Sequence, residues 1–374
     1  MHVGFLARQL ARRGHHVLTA CAPNTPLAHD LRESGFEPYL LDLSGYFHPR
    51  RVIRLARWLK AQPVEIIHAH FSRDLWTIVP ALSFSKIGRK IPLLLTKHIG
   101  TGKPKRDPLH RWLYRHVHFL IAISEVIRQN LIATHPISSE KVGVIHHGVD
   151  PEQFSLAKIS DRTLRQELGF SHEDVVVGMV GRLQISKGYL EFLEMAARLR
   201  RLRPNTKFLI VGEATRGEPR DAEIILQKRK ALQLEETVKF LGFRKDVTVV
   251  LAAMDIFVFP SHAEAFGLAL IEAMAAGKAV IASNNDGVLD IVQDVQTGIL
   301  IPPRNVEALV QACLRLLEDE SLRRKMGEAG RKLALQKFSV QRMLDQIEST
   351  YYQLQFQTGF KTAVEDKAYA AARA

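Results

Sequence analysis

The sequence predicts an α/β protein made of two doubly wound, Rossmann-like domains that face one another across a cleft. Three observations carry that expectation. Short apolar runs alternate with stretches of helical period, as parallel βαβ units do. The alternation breaks at Gly148-Val149-Asp150-Pro151 and then restarts. A length of 374 residues suits two domains of ordinary size.

In chain order, the first half offers strands at His16–Cys21, Tyr39–Leu43, Ile66–His70, Leu93–His98, Phe119–Ile123 and Val142–His146. Helices fall between them, for example Pro49–Lys60, whose leading proline is preset for a first helical turn, and Asp74–Phe84. The second half offers strands at Val175–Val180, Phe208–Val211, Val238–Leu241, Ile256–Phe259, Ala279–Ala282 and Ile299–Ile301. Its helices include Tyr189–Leu202, Ala222–Leu234, Phe266–Ala276 and Val306–Glu318. A last helix, Val340–Leu354, has no strand after it and is expected to cross back to the first domain. The expected domains are therefore 1–150 and 151–339, a returning helix over 340–357, and a flexible tail over 358–374. The chain opens in a helix, Met1–Arg13, so the first domain is expected to lack the first, central strand of a doubly wound sheet.

Composition narrows the functional classes. With 46% hydrophobic and 24% charged residues, the chain can fill a core. The only cysteines, Cys21 and Cys313, stand far apart, which excludes a disulfide framework and fits a reducing compartment. No run of 18 apolar residues exists to span a bilayer, and the opening helix lacks a signal-peptide pattern. The net charge of +13 is lopsided: residues 1–150 hold 21 Lys/Arg against 10 Asp/Glu, and the remainder 31 against 29. The basic half is expected to meet something anionic. Helix Pro49–Lys60, with Arg50, Arg51, Arg54, Arg57 and Lys60 set against Val52, Ile53, Leu55 and Leu59, suits an anionic membrane surface. The segment Lys103–Arg115 adds a second basic patch with aromatics. No nucleic-acid module accompanies either patch, so nucleic acid is not an expected partner. The expected location is cytoplasmic, peripheral at the inner face of the plasma membrane.

Two segments carry chemistry. In Ser261-His-Ala-Glu264-Ala-Phe266-Gly267-Leu268-Ala-Leu-Ile-Glu272, a buried strand ends, a short loop presents Glu264, and a helix begins near Gly267. A helix start of that kind is a ready anion site. Glu264 and Glu272 lie at most ~12 Å apart along a helix axis, a spacing that lets them hold hydroxyls at the two ends of a diphosphate-linked ligand. In Gly178-Met-Val-Gly181-Arg182-Leu-Gln-Ile-Ser-Lys187-Gly188, two cations follow the first strand of the second domain, where a leaving diphosphate could be neutralised. No Asp-x-Asp pair follows a strand to seat a phosphate-bridging metal, so no metal and no cofactor are expected. His68 and His70, alternating at another strand end, lack a third ligand at motif spacing and are expected to be structural.

At these segments the chain resembles the retaining glycosyltransferases of family 4, which have the GT-B fold. Gly181-Arg182-Leu…Lys187-Gly188 looks like that family's phosphate-binding motif, and Glu264…Glu272 like its E-x7-E motif. Gly148-Val149-Asp150 resembles its interdomain link, so the likeness covers nearly the whole chain. The resemblance implies that Arg182 and Lys187, with Gly181, bind the donor diphosphate. It implies that Glu264 and the Phe266, Gly267 and Leu268 amides face the donor sugar, that Glu272 binds the ribose, and that His98 contacts the transferred sugar. The implied reaction moves a sugar, with retention and without a metal, from a nucleotide-diphosphate sugar of the UDP type. The implied acceptor is a glycan or lipid-linked acceptor, as in lipopolysaccharide or cell-envelope synthesis. Two departures stand out. The family's first strand and glycine-rich loop are missing, and the loop Glu213–Arg220 is longer than its usual Gly-x-Gly turn. The alternatives are a non-catalytic nucleotide-sugar binder or inactive fragment, and a GT-B epimerase or phosphorylase.

Overall fold

The computed structural model describes residues 2–42, 46, 48–84, 90–154, 162–215 and 217–359. The expected tail lies, from residue 360 on, outside the described residues. The chain divides into two compact units, one of Met1–Ile145 with Leu344–Ala374 and one of His146–Met343.

The first unit runs α1 (His2–Arg12), β1 (Ala20–Cys21), α2 (Pro26–Glu33), β2 (Tyr39–Leu40), α3 (Pro49–Lys60), β3 (Ile67–Ala69), α4 (Leu75–Ser83), β4 (Leu93–Lys97), α5 (Pro108–Arg115), β5 (Phe119–Ala122), α6 (Glu125–Thr134) and β6 (Val142–Val144). Capping side chains mark where helices start: Thr25, Asp107 and Ser124 each accept a hydrogen bond from a first-turn amide of α2, α5 and α6. β4 is buried at every position, as a strand covered on both faces must be.

Two separate parallel sheets result, β1-β2 and β3-β4-β5-β6. The expected strands His16–Cys21 and Tyr39–Leu43 shrink to two-residue ladders, because β1 and β2 pair only with each other. Residue 43 lies outside the described residues.

The second unit runs α7 (Arg162–Glu167), β7 (Val175–Val180), α8 (Tyr189–Leu202), β8 (Thr206–Val211), α9 (Arg220–Ala231), β9 (Val238–Phe240), α10 (Val247–Ala252), β10 (Ile256–Phe259), α11 (Leu268–Ala275), β11 (Ala279–Ser283), β12 (Ile299–Ile301), α12 (Val306–Glu318) and α13 (Glu320–Lys337). Its six parallel strands lie in the order β9-β8-β7-β10-β11-β12, the doubly wound 3-2-1-4-5-6 pattern. One apolar cluster, with Phe192, Leu193, Phe208, Ile256, Ile281 and Leu316 fully buried, joins this sheet to α8 and α12.

α14 (Val340–Thr358) starts in the second unit, and its residues from Leu344 on belong to the first. The division falls at Ile145/His146, slightly before the Gly148–Pro151 break. Val149 is tied to the far end of the second unit, its amide donating to the Phe338 carbonyl at 2.8 Å and its carbonyl accepting from Val340 at 2.9 Å.

Candidate functional site

β7 and β10 pair directly, Ile256 beside Val177 and Phe257 beside Gly178, although β8 and β9 come between them in the chain. The winding direction reverses there, and such a switch point opens a crevice outside the carboxyl ends of its two strands. Both motif segments leave the sheet at this point. A cavity of about 170 Å³ is lined by Gly181, Arg182 and Lys187 from the first segment and by Ser261, Glu264, Gly267, Leu268 and Ala269 from the second.

Local bonding fixes each wall. The Gly181 amide donates to the Val211 carbonyl at 3.0 Å, and Tyr189 Oη donates to the Gly181 carbonyl at 2.7 Å. The Ile185 amide donates to Asp221 Oδ2 at 3.0 Å, and Ile185–Lys187 form one tight helical turn. Gly188 then takes φ +82°, and a Cβ there would sit 2.2 Å from the Pro260 carbonyl oxygen. Only glycine therefore lets the end of β10 approach the first loop. The His262 amide, donating to the Ser186 carbonyl at 2.8 Å, ties the two loops again.

The charges meet inside this frame. Lys187 Nζ donates to Glu264 Oε2 at 2.5 Å, with both side chains largely covered. Arg182 is exposed and has no ion pair among the described residues, so these three side chains leave one net positive charge at the cavity. Gly267, at φ +115°, turns the chain into α11. The Leu268 and Ala269 amides at its start have no intrahelical acceptor and lie at the positive end of the helix dipole.

Two of the expected residues, Phe266 and Glu272, do not line the cavity. The Phe266 ring is only 2% exposed, stacked on His146 at 5.4 Å and set edge-on to Phe338. It anchors the loop from behind, and only its backbone could face a ligand. Glu272, on the second turn of α11, does not line the cavity. Burial pushes its carboxyl up from an ordinary 4.5 to about 7.

His98 belongs to the first unit, just past β4. Burial, and then the neighbouring Lys97, pull its pKa down to about 4, so it is neutral at pH 7. His68 is committed on both ring nitrogens, to Tyr351 Oη and Thr96 Oγ1, each at 2.7 Å. The His70 ring stands beside those of His2 and His98, which no sequence spacing joins to it. α3 buries Val52 and Leu55 and exposes Arg50, Arg54, Arg57 and Lys60. Arg106, Arg111, Arg115 and Lys141 line a second cavity of about 590 Å³ in the same unit.

Sequence reasoning missed the loop after β11. Asp286 Oδ2 accepts from the Glu264 amide at 3.2 Å, and the Gly287 amide donates to the Glu264 carbonyl at 2.9 Å. Asn285 Nδ2 donates to the His262 carbonyl at 2.6 Å. The one available signal was the turn-forming run Asn284-Asn-Asp-Gly287 directly after a strand.

Comparison with known proteins bears on both units. Residues 160–333 match the family described as Glycosyl transferases group 1, and residues 1–153 match Glycosyltransferase Family 4. The N-acetyl-alpha-D-glucosaminyl L-malate synthase of Bacillus anthracis is 25% identical over 93% of this chain and 91% of its own length. The Escherichia coli UDP-Gal:alpha-D-GlcNAc-diphosphoundecaprenol alpha-1,3-galactosyltransferase is 27% identical over 88% of this chain and 87% of its own. A crystallised glycosyltransferase of Rickettsia africae superimposes with a TM-score of 0.83 over 93% of each chain at 23% identity, a likeness of fold.

Proposed function

Because this chain belongs to the family 4 glycosyltransferases of the GT-B fold, we propose that it moves a sugar from a UDP-sugar to a glycan or lipid-linked acceptor, with retention and without a metal. The observation that carries the reading is the single cavity, at the switch point of the second sheet, in which Arg182, Lys187, Glu264 and the first amides of α11 meet. The donor and acceptor types are supported by the Escherichia coli relative, whose name specifies UDP-Gal and a diphosphoundecaprenol-linked acceptor.

In this reading the diphosphate takes the place beside Lys187 and Arg182, with the start of α11 adding amide donors and dipole. Glu264, released from part of its pairing with Lys187, accepts from a hydroxyl of the donor sugar. The bond between the sugar's anomeric carbon and the diphosphate breaks, and the acceptor oxygen bonds that carbon on the same face. The acceptor's proton passes to the departing phosphate oxygen, and the fixed cations hold the released charge. They supply the neutralisation that a bridging metal supplies elsewhere, so activity is expected to survive chelation. Glu272 holds the ribose and His98 the transferred sugar.

The test is Lys187→Ala assayed for sugar transfer with UDP-hexoses. Turnover is expected to fall a hundredfold or more, from roughly 2.7–4 kcal/mol for one lost charge-stabilising donor. Unchanged turnover would remove the mechanism. UDP binding without transfer would identify a binder, and a new sugar formed without acceptor would identify an epimerase. The basic face of α3 and the cavity lined by Arg106, Arg111, Arg115 and Lys141 support an acceptor carried on an anionic membrane at the cytoplasmic face, as in cell-envelope or lipopolysaccharide synthesis. No described helix is long and apolar enough to cross a membrane.

A further inference from the structure

Three histidines from distant parts of the chain converge in the first unit. His2 lies in the first turn of α1, His70 directly follows β3, and His98 directly follows β4. β3 and β4 are hydrogen-bonded neighbours with Ala69 opposite Leu95, so the chain leaves both strands at the same end of the sheet. The start of α1 brings His2 to that end. The three ring centroids form a nearly equilateral triangle, with His2–His98 at 5.2 Å, His70–His98 at 5.7 Å and His2–His70 at 5.9 Å. Each residue offers a ring nitrogen, and these three nitrogens all lie within 4.8 Å of one another.

That geometry approximates a three-histidine metal centre. With metal–nitrogen bonds of about 2.0–2.1 Å in a tetrahedron, ligating nitrogens stand ~3.4 Å apart and ring centres ~5 Å apart. The rings already stand near that separation, and rotations about their own side-chain bonds bring the nitrogens in. His68, stacked on His70 at 4.3 Å, does not compete, because both of its nitrogens are engaged by Tyr351 and Thr96. The cluster thus offers three imidazoles and leaves a fourth position for water. A donor set of imidazole alone selects zinc, copper or nickel over magnesium or calcium, which require oxygen ligands.

We propose that His2, His70 and His98 form a binding site for one first-row transition-metal ion of the zinc class. The site stands on this geometry alone and does not depend on the sugar-transfer reading, although it shares His98 with it. An ion held there would withdraw His98 from a sugar, making the site inhibitory.

The experiment is equilibrium dialysis of the untagged, chelator-stripped protein against zinc, with cobalt as an absorbing probe and excess magnesium present. The chain is expected to bind one zinc ion, to give the strong visible absorption of four-coordinate cobalt, and to lose both in His70→Ala and in His2→Ala. His29→Ala, at an exposed position on α2, should keep both. Circular dichroism checks that each variant is folded, and His2→Ala decides the matter if His70→Ala is not. Absence of bound metal in the wild type, or the same binding in a folded His70→Ala or His2→Ala, would overturn the proposal.

Discussion

Glu272 shows how burying a single carboxyl weighs on stability. Its carboxyl, set on the second turn of α11 with no hydrogen bond among the described residues, is pushed up from 4.5 to about 7 by burial. A carboxyl whose folded pKa is raised contributes its stabilisation in full below about pH 4.5 and loses it as pH rises through about 7, where the buried group must ionise. Glu272→Gln cannot ionise. Its melting temperature should therefore exceed the wild type's at pH 8 by at least ~2 °C, the shift that about 1 kcal/mol makes in a domain of this size. At pH 4, below both values, the two should melt together. Ribose hydroxyls, in contrast, bind best to the ionised form. UDP affinity of the wild type should rise with pH between 6 and 8, while that of Glu272→Gln stays flat and on the order of tenfold weaker at pH 8. Calorimetric titration across that range checks it, and parallel pH profiles would remove the ribose role. The spacing to Glu264 was legible in the sequence. The raised pKa was not, because it comes from the elements that cover the second turn of α11.

Elements place these residues, and the contact between two loops matters more than either loop alone. The alternation of apolar runs located every strand of the second unit, and Val175–Val180, Ile256–Phe259 and Ile299–Ile301 have the bounds that the apolar pattern set. In the first unit the same reasoning overran. His16–Cys21 and Tyr39–Leu43 are apolar enough for longer strands, but a ladder extends only as far as its neighbour does. Gly188 shows what an element pair demands. Gly188→Ala places a side chain at φ +82°, a strain of ~1–2 kcal/mol, and drives it against the Pro260 carbonyl. The end of β10 must then move from the Lys187 loop. Lys187 and Glu264 separate, and sugar transfer should fall at least tenfold with a melting temperature lowered by several degrees. An activity and melting temperature equal to the wild type's would show that the two loops do not need this approach. Nothing within the segment itself marks Gly188 apart from other glycines, since Pro260 lies far along the chain.

Across the whole molecule, charge is the property that sequence alone partitions. Residues 1–150 carry 21 Lys/Arg and 10 Asp/Glu, and α3 exposes Arg50, Arg54 and Arg57 on the face opposite Val52 and Leu55. Replacing those three arginines by glutamate should abolish flotation with anionic liposomes while leaving unchanged the UDP affinity that the proposed function assigns to the other unit. Equal flotation would place the membrane contact elsewhere or deny it. The amino-acid sequence by itself determined the α/β class, the two-unit layout and most of the motif residues that line the cavity at the switch point. Apolar periodicity, turn residues and motif spacing are local, and each is written in neighbouring positions. Only the tertiary structure decided that Lys187 is paired with Glu264, that the Phe266 ring faces the core, that Asp286 braces the Glu264 loop, and that His2, His70 and His98 share one corner. Those facts depend on strand order in the four-stranded and six-stranded sheets, which brings together residues that no local pattern connects.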